Sequence, residues 1–497
     1  MRVVLIALAV VSVLELLLYV PPIWRLRDPF SVVILLLLAV VSGALFGVDI
    51  NMATAMLLLV GLYRMFNLLR IVEGRMEPHF LRRVIWRTSG WLIGFQLIIL
   101  GLWRLGSSLN LSWRIGLGVV SGLQLLLASS LLVTTLWQLR RSRPIRTETS
   151  YADRDLPTVS ICIPARNETQ ALEMCLTALV ASDYPKLEIL VLDDCSQDNT
   201  SDVIRSFAHA GVRFIKGVEP ESAWLAKNWA YQQLYTQASG DLLLFCGVDV
   251  RMERASLRQF VTQLLAQNHE MAAVMPLNQQ RGFGSRLLQP LRYGWELSLP
   301  RTLVHRPPVL STCWLARRTF LHKSGGFGAV THSILPESYF ARLATQSNGY
   351  SFLRSERTLA ITSQKAVSEQ WQTAARTRYP QIHRRPEILL LLTMIEIVGI
   401  VASPFLFVGS LIAGQGVVAI LAGCATLLFS VTYTVLIRAT YGYLSLLALG
   451  DFVPAVLLDI WVRHYSMVQY EFAEVTWKGR NVCLPVMHSS SKLLKDQ

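Results

Sequence analysis

Hydrophobic and polar positions divide the 497-residue chain into three stretches of different texture. The first 140 residues are apolar for long runs, at 3–20, 30–46, 52–63, 89–103 and 115–139. Such runs predict membrane helices, for which about 20 apolar residues are needed. The run 89–103 is short for a crossing, and the polar knot 47–51 reads as a tight turn between two helices. From 156 to 250 the texture changes. Short apolar runs at 159–163, 187–192, 212–215 and 241–245 predict buried strands, and a helical pattern at 171–181 separates the first two. That alternation predicts an α/β sheet with mostly parallel strands. Beyond residue 386 the long apolar runs return, at 388–408 and 417–437, joined by a glycine-rich turn. A last run, 443–462, is interrupted by Asp451, Pro454 and Asp459. It either crosses the bilayer or lies along its surface, and the surface reading leaves the tail on the side of the central domain.

Composition agrees with that division. Hydrophobic residues make up 52% of the chain, and the mean hydropathy is +0.41. These values exclude an ordinary soluble enzyme and point to an integral membrane protein. The formal charge is +14. Its placement speaks for cytoplasmic loops and anionic lipid rather than nucleic acid. Arg140, Arg141, Arg143 and Arg146 directly follow the fifth apolar run. By the positive-inside rule they set the central domain in the cytoplasm. Counting back, the basic loop 64–87 and the Arg25/Arg27 loop are also inside, and the N-terminus is outside. The expected location is the cell membrane, crossed several times. The 7 cysteines show no Cys-x-x-Cys spacing, so neither a cysteine-bound metal nor a disulfide framework is expected. Glu396, inside an apolar run, is either a functional intramembrane acid or a helix–helix hydrogen-bonding partner.

Ligands of parallel sheets bind beyond the carboxyl ends of the strands. There the sequence places Pro164-Ala165-Arg166-Asn167-Glu168, then Asp193-Asp194-x-Ser-x-Asp-x-Thr, then Gly247-Val248-Asp249. A single Asp after a strand is most often a turn or cap former. The ordered set resembles the family 2 glycosyltransferases with the nucleotide-sugar-binding GT-A fold, and is similar to their ceramide, carotenoid and hopanoid-type lipid glycosyltransferases. The resemblance covers roughly 156–380. It implies an α/β GT-A domain inserted between N- and C-terminal transmembrane helix bundles. The expected divisions are 1–146 for the N-terminal membrane region, 147–386 for the cytoplasmic domain, 387–462 for the C-terminal membrane region and 463–497 for the tail.

The resemblance also implies roles. Pro164, Ala165, Arg166 and Glu168 match the loop that lies against the nucleoside. Asp193 matches the position that reads the base, and Asp194 supports the diphosphate or metal side. Lys227, in Trp224-Leu225-Ala226-Lys227-Asn228-Trp229-Ala230, pairs with a phosphate as a point charge; its plainer reading is a solvated helix-end lysine. Asp249 matches the second acid of an Asp-x-Asp pair whose first acid is here Gly247, and is the expected ligand of Mg²⁺ or Mn²⁺. After Gly325-Gly326-Phe327 the family shows Glu-Asp, where this chain has Glu337-Ser338. Glu337 is the expected proton acceptor, with His332 as the alternative. Arg378 and Tyr379 match the end of a glutamine-x-x-arginine-tryptophan element that meets the diphosphate, with Ala375 in place of the glutamine. Trp477-Lys478-Gly479-Arg480 resembles an element that closes many membrane-bound relatives.

The function implied is an inverting glycosyltransferase. It takes a sugar from a nucleotide donor, expected to be UDP-linked, to a lipid acceptor at the cytoplasmic leaflet. The alternative is an inactive GT-A domain acting as a partner or regulator of other proteins in envelope glycan or glycolipid assembly.

Overall fold

The structure, a computed structural model, describes residues 2–46, 52–72, 78–108, 113–145, 151–220, 224–299, 306–444, 446–472 and 475–481. The expected turn at 47–51, Arg146, Cys483 and the serine-rich end at 489–491 lie outside the described residues.

The N-terminal region is a bundle of five helices: α1 (Arg2–Leu18), α2 (Arg27–Phe46), α3 (Met52–Val72), α4 (Pro78–Ser108) and α5 (Trp113–Arg141). The last four contain segments long and apolar enough to cross a membrane. Two sequence expectations need correction here. Helix α4 runs well past the short apolar run, and the stretch 64–87 is largely helix rather than loop. Arg64 and Arg70 continue α3 because each is neutralised from a neighbouring helix. Arg64 meets Glu15 of α1 at 2.7 Å, with both side chains fully buried. Gln96 of α4 accepts from the same guanidinium at 2.5 Å, and Glu15 accepts from Ser89. A charge that is paired and hydrogen-bonded can sit inside a bundle where an isolated one cannot.

The central domain follows as β1 (Val159–Ala165), α6 (Gln170–Val180), β2 (Leu187–Asp193), α7 (Thr200–Ser206), β3 (Val212–Lys216), α8 (Ala226–Gln237), β4 (Leu242–Cys246), β5 (Val250–Met252), α9 (Ser256–Ala266), β6 (Met271–Met275), β7 (Leu277–Asn278), α10 (Phe283–Leu297), β8 (Cys313–Arg317), α11 (Arg318–Lys323), α12 (Pro336–Gln346), β9 (Tyr350–Arg354), β10 (Ile361–Ser363) and α13 (Val367–Gln381). Seven strands form one sheet in the order β3-β2-β1-β4-β8-β6-β9. β1 to β4 are mutually parallel. β8 runs antiparallel to both β4 and β6, which makes the sheet mixed. Central strands such as Leu242–Cys246 are buried on both faces, which is why they read as unbroken apolar runs rather than alternation. One face packs on α6 and α9 through residues such as Ile161, Leu172, Leu176 and Phe260. The other holds an aromatic cluster in which Phe245 stacks on Trp314 at 4.3 Å. The chain builds β1, β2 and β3 outward and then returns to place β4 beside β1. The order therefore reverses between β1 and β4, and a crevice forms at such a point.

Beyond the domain come α14 (Pro386–Glu396), one π turn (Ile397–Val401), α15 (Ala402–Ile412), α16 (Gly416–Tyr441), α17 (Phe452–Phe472), and a hairpin of β11 (Thr476–Trp477) and β12 (Arg480–Asn481). α14 to α15 and α16 supply two further segments of membrane-crossing length. α17 is not among the six such segments. It packs against α10 and α13 of the domain. The acids that interrupt its sequence run face domain arginines, Asp451 meeting Arg286 at 3.2 Å and Asp459 meeting Arg378 at 2.7 Å. Leu457, Trp461 and Val468 are exposed on its other side. The helix thus has a charged face to the protein and an apolar outer face, the pattern of a helix lying on a bilayer.

Glu396 belongs to the same network. Its carboxylate meets Arg463 of α17 at 2.5 Å, and Arg463 also meets Asp459 at 2.6 Å. The acid therefore serves as a link between helices, at the π turn where such insertions are commonly found. Arg463→Met is expected to destabilise the protein by about 3–5 kcal/mol, because it leaves two buried carboxylates opposite one arginine. Thermal unfolding in detergent would check this, and an unchanged midpoint would remove Arg463 from the framework.

Candidate active site

A cleft opens at the carboxyl ends of β1 and β4. Pro164, Arg166 and Glu168 form one side, and Gly247, Val248 and Asp249 the other. Lys227, Asn228 and Tyr231 come from the start of α8. Arg292 of α10, and Lys365, Glu369, Gln372 and Arg376 at and along α13, make the wall nearest the membrane helices. Lys478 and Arg480 of the tail hairpin close one end.

The loop after β1 is woven to the loop after β2. Thr200 Oγ1 accepts from the Glu168 amide at 2.9 Å, and Ser196 Oγ accepts from the Asn167 amide at 3.0 Å. Asp193 holds that second loop in shape, accepting from the Ser196 amide at 3.0 Å and from the Ser201 hydroxyl. These bonds explain the serine, threonine and acid spacing of the motif as an Asx-type turn. Asp193 itself is not on the cleft wall, and its carboxylate is engaged within the loop. Ala165, the last residue of β1, is also buried off the wall.

The tail enters this weave. Lys478 and Gly479 carry φ of 50° and 78°. That is the left-handed pair a two-residue hairpin turn requires, and glycine adopts it without strain. The turn aims Lys478 at Glu168, 2.6 Å away. Arg480 meets Asp194 at 2.6 Å and Glu219 at 2.8 Å. Arg166 donates to the Lys478 carbonyl at 3.0 Å and to the Asp194 carbonyl at 2.6 Å. Burial pushes the Glu168 and Asp194 carboxyls up, and the opposing pull of Lys478 and Arg480 limits the shift. The tail hairpin is therefore part of the cleft and lies on the domain's side of the membrane helices.

Asp249 Oδ2 accepts from Ser363 Oγ at 2.7 Å, which fixes the carboxylate. A Cβ at Gly247 would sit 2.5 Å from Asp249 Oδ1. The missing first acid and the present pose of the second thus go together. Among the described residues no three His, Cys, Asp or Glu side chains gather as a metal cage. One fixed carboxylate does fit Mg²⁺ or Mn²⁺ if phosphate oxygens and waters complete the shell, the usual habit of Mg²⁺ in phosphate sites. Lys365 stands on the wall of α10 and α13; burial lowers its pKa, while Asp249 acts to raise it.

Glu337 lies at the start of α12, 1% exposed, with Lys227 Nζ 3.8 Å away. Lys227 is on the wall and Glu337 is behind it. Burial lowers the Lys227 pKa, and Glu337 partly restores it. Ser338 is turned toward Arg306, at 3.1 Å. His332 is exposed and off the wall.

Arg378 is likewise off the wall, paired with Asp459. Arg376, two residues earlier and so about 200° around the helix, is the one that lines the cleft. Gln372 lies one turn before it on the same face. Sequence reasoning matched the aromatic that follows Arg378 and missed this i, i+4 pair. It also missed Arg292 and Lys365, whose signal was only their nearness to apolar runs.

The mixed α/β sheet with its basic cleft at the β1/β4 switch point forms a GT-A-like domain, with apolar helices before and after it. Residues 160–325, about a third of the chain, match the family model of glycosyl transferase family 2. Among curated proteins, "Probable glycosyltransferase YdaM" of Bacillus subtilis is 33% identical over 126 residues, 24% of this chain and 29% of that protein. "Glycosyltransferase AglE" of Haloferax volcanii is 32% identical over 113 residues, 22% of this chain and 36% of that protein. The match spans about a third of the length of these relatives. Among solved structures, mannosyltransferase PcManGT of Pyrobaculum calidifontis, in complex with GDP-Man and Mn²⁺, is 16% identical with a TM-score of 0.42, covering 69% of this chain and 99% of that one.

Two substitutions separate the arginines. Arg376→Gln is expected to weaken UDP binding about ten-fold, while Arg378→Gln lowers the melting temperature and leaves the affinity near wild type; calorimetric titration of UDP reads both. Asp249→Asn is expected to abolish the part of UDP binding that EDTA removes. Unchanged Mn²⁺ dependence would take Asp249 out of the site.

Proposed function

We propose that the protein is a membrane-embedded, inverting glycosyltransferase that moves a sugar from a UDP-linked donor to a lipid acceptor at the cytoplasmic leaflet. In this reading the central domain spans 147–386, with membrane regions on either side. The observation that carries the proposal is the composition of the cleft walls. One wall is the strand-end edge of the family domain, with Asp249. The other is built by α10 and α13, whose backs pack on α17, and α17 turns an apolar face away from them. A donor from solvent and an acceptor from the bilayer would meet between them.

The chemistry follows from the residues present. The nucleoside would lie along Pro164, Arg166 and Glu168, with the diphosphate toward Lys227, Lys365 and Arg376. Fixed cations stabilise the charge that builds on a departing diphosphate, and cost no reorganisation as it leaves. Asp249 would hold a divalent cation, which when bound adds to the same neutralisation. Glu337 accepts the acceptor hydroxyl's proton as the new glycosidic bond forms.

The test is turnover in nanodiscs. A panel of nucleotide sugars is offered with Mg²⁺ or Mn²⁺, with and without lipid extract, and both nucleoside diphosphate release and new glycolipid are measured. Release with one donor, stimulated by lipid and matched by a glycolipid of the added mass, is the expected result. Donor binding without release would favour the alternative of an inactive domain serving partner proteins.

A further inference from the structure

Glu337 is the anomaly of the cleft. Its carboxylate is 1% exposed, and among the described residues neither oxygen has a hydrogen-bond partner. Buried carboxylates ordinarily accept several hydrogen bonds, because an unsatisfied one is costly. The group nearest in charge is Lys227 Nζ at 3.8 Å, close enough for ionic attraction and too far for a hydrogen bond. The Lys227 ammonium lies over the Tyr231 ring at 5.3 Å, a favourable cation–π contact, while the charges of Arg376 and Arg292 oppose its own.

The backbone around the pair is firmly held. The Asn228 side-chain Nδ2 donates to the carbonyls of Val330 at 2.7 Å, Thr331 at 3.1 Å and Ser333 at 2.8 Å. The Leu225 amide donates to Thr331 at 3.0 Å. The segment leading to Glu337 is thereby fastened to the start of α8. These bonds hold the main chain near both side chains, so an exchange of partners falls to the lysine, whose four-carbon stem supplies the rotatable bonds.

We propose that Lys227 has two alternative partners, the Glu337 carboxylate and the donor diphosphate, and that donor binding uncovers Glu337 as the proton acceptor. The proposal rests on reading the cleft as a sugar-transfer site. Without donor, the ammonium covers and neutralises Glu337, and water meets no free base. The diphosphate then competes for the ammonium with more charge and better hydrogen-bonding geometry. Once Lys227 turns to it, Glu337 stands buried without a counter-charge. It takes the acceptor hydroxyl's proton. The acceptor oxygen bonds to the anomeric carbon, and the bond from that carbon to the diphosphate oxygen breaks with its electron pair on the leaving group. A single lysine thus orders the reaction, donor before base.

The sign of one effect tests this. If Glu337 competes for Lys227, Glu337→Gln binds UDP tighter than wild type, by roughly five-fold, while glycosyl transfer falls steeply. If Glu337 merely holds Lys227 in place, the same variant binds UDP equally or more weakly, and the proposal is overturned. Lys227→Met should weaken UDP binding and erase the difference made by Glu337→Gln in the double variant. Glu337→Ala supplies a second reading should Glu337→Gln fail to fold: it too should bind UDP tighter than wild type, and equal or weaker binding would overturn the proposal. UDP and GDP both failing to bind wild type would instead contradict the underlying reading of the cleft.

Discussion

Helix α17 is held to the rest of the protein by buried ion pairs, and the cleft takes its shape from where they put it. Arg70 of α3 meets Glu471 at 2.9 Å. Glu396 and Arg378 reach the same helix through Arg463 and Asp459. Each pair spans a different boundary, to the N-terminal bundle, to the C-terminal membrane helices and to the domain helix α13. Pairs of this kind add little net stability over well-packed apolar residues, yet breaking one leaves a buried charge. Their consequence here is register. α17 can pack on α13 in one position, and that position sends the chain directly into the hairpin whose Lys478 and Arg480 close the cleft.

The two ends of the molecule are thereby linked through one helix. Helix α3 comes from the first hundred residues and the hairpin from the last described ones, and α17, which precedes the hairpin in the chain, meets α3 through Glu471. Tyr63 meets His464 at 2.6 Å, and Phe66 packs edge-on against Phe472. The domain's own motifs are equally cooperative. Asp193, Ser196 and Thr200 shape the loops that the tail then caps, so the sequence motif and the terminal element form a single hydrogen-bonded edge.

Much of this was legible in sequence, for definite reasons. The strands at 159–165, 187–193, 212–216 and 242–246 were found within about two residues, because strands buried on both faces leave unbroken apolar runs. Arg166, Glu168 and Lys227, expected from their match to family motifs, and Asp249, expected also from its place after a strand, do stand on the cleft wall. What was not legible depended on which side of a helix a residue occupies. Arg376 and Arg378 look equivalent as letters, and 200° of helical rotation separates a cleft wall from an ion pair. Arg64 and Arg70 read as loop residues until Glu15 and Glu471 supply their counter-charges from far along the chain. No local pattern announces such partners.

The central claim is that the strand-end loops, the start of α8 and the tail hairpin form one donor-binding edge. Hydrogen exchange of the protein in nanodiscs, with and without UDP and Mg²⁺, addresses it directly. The account predicts coordinated protection of 164–168, 225–231, 247–249 and 475–481 when the nucleotide binds. Protection confined to other segments, or protection of the strand-end loops with the hairpin unchanged, would contradict it.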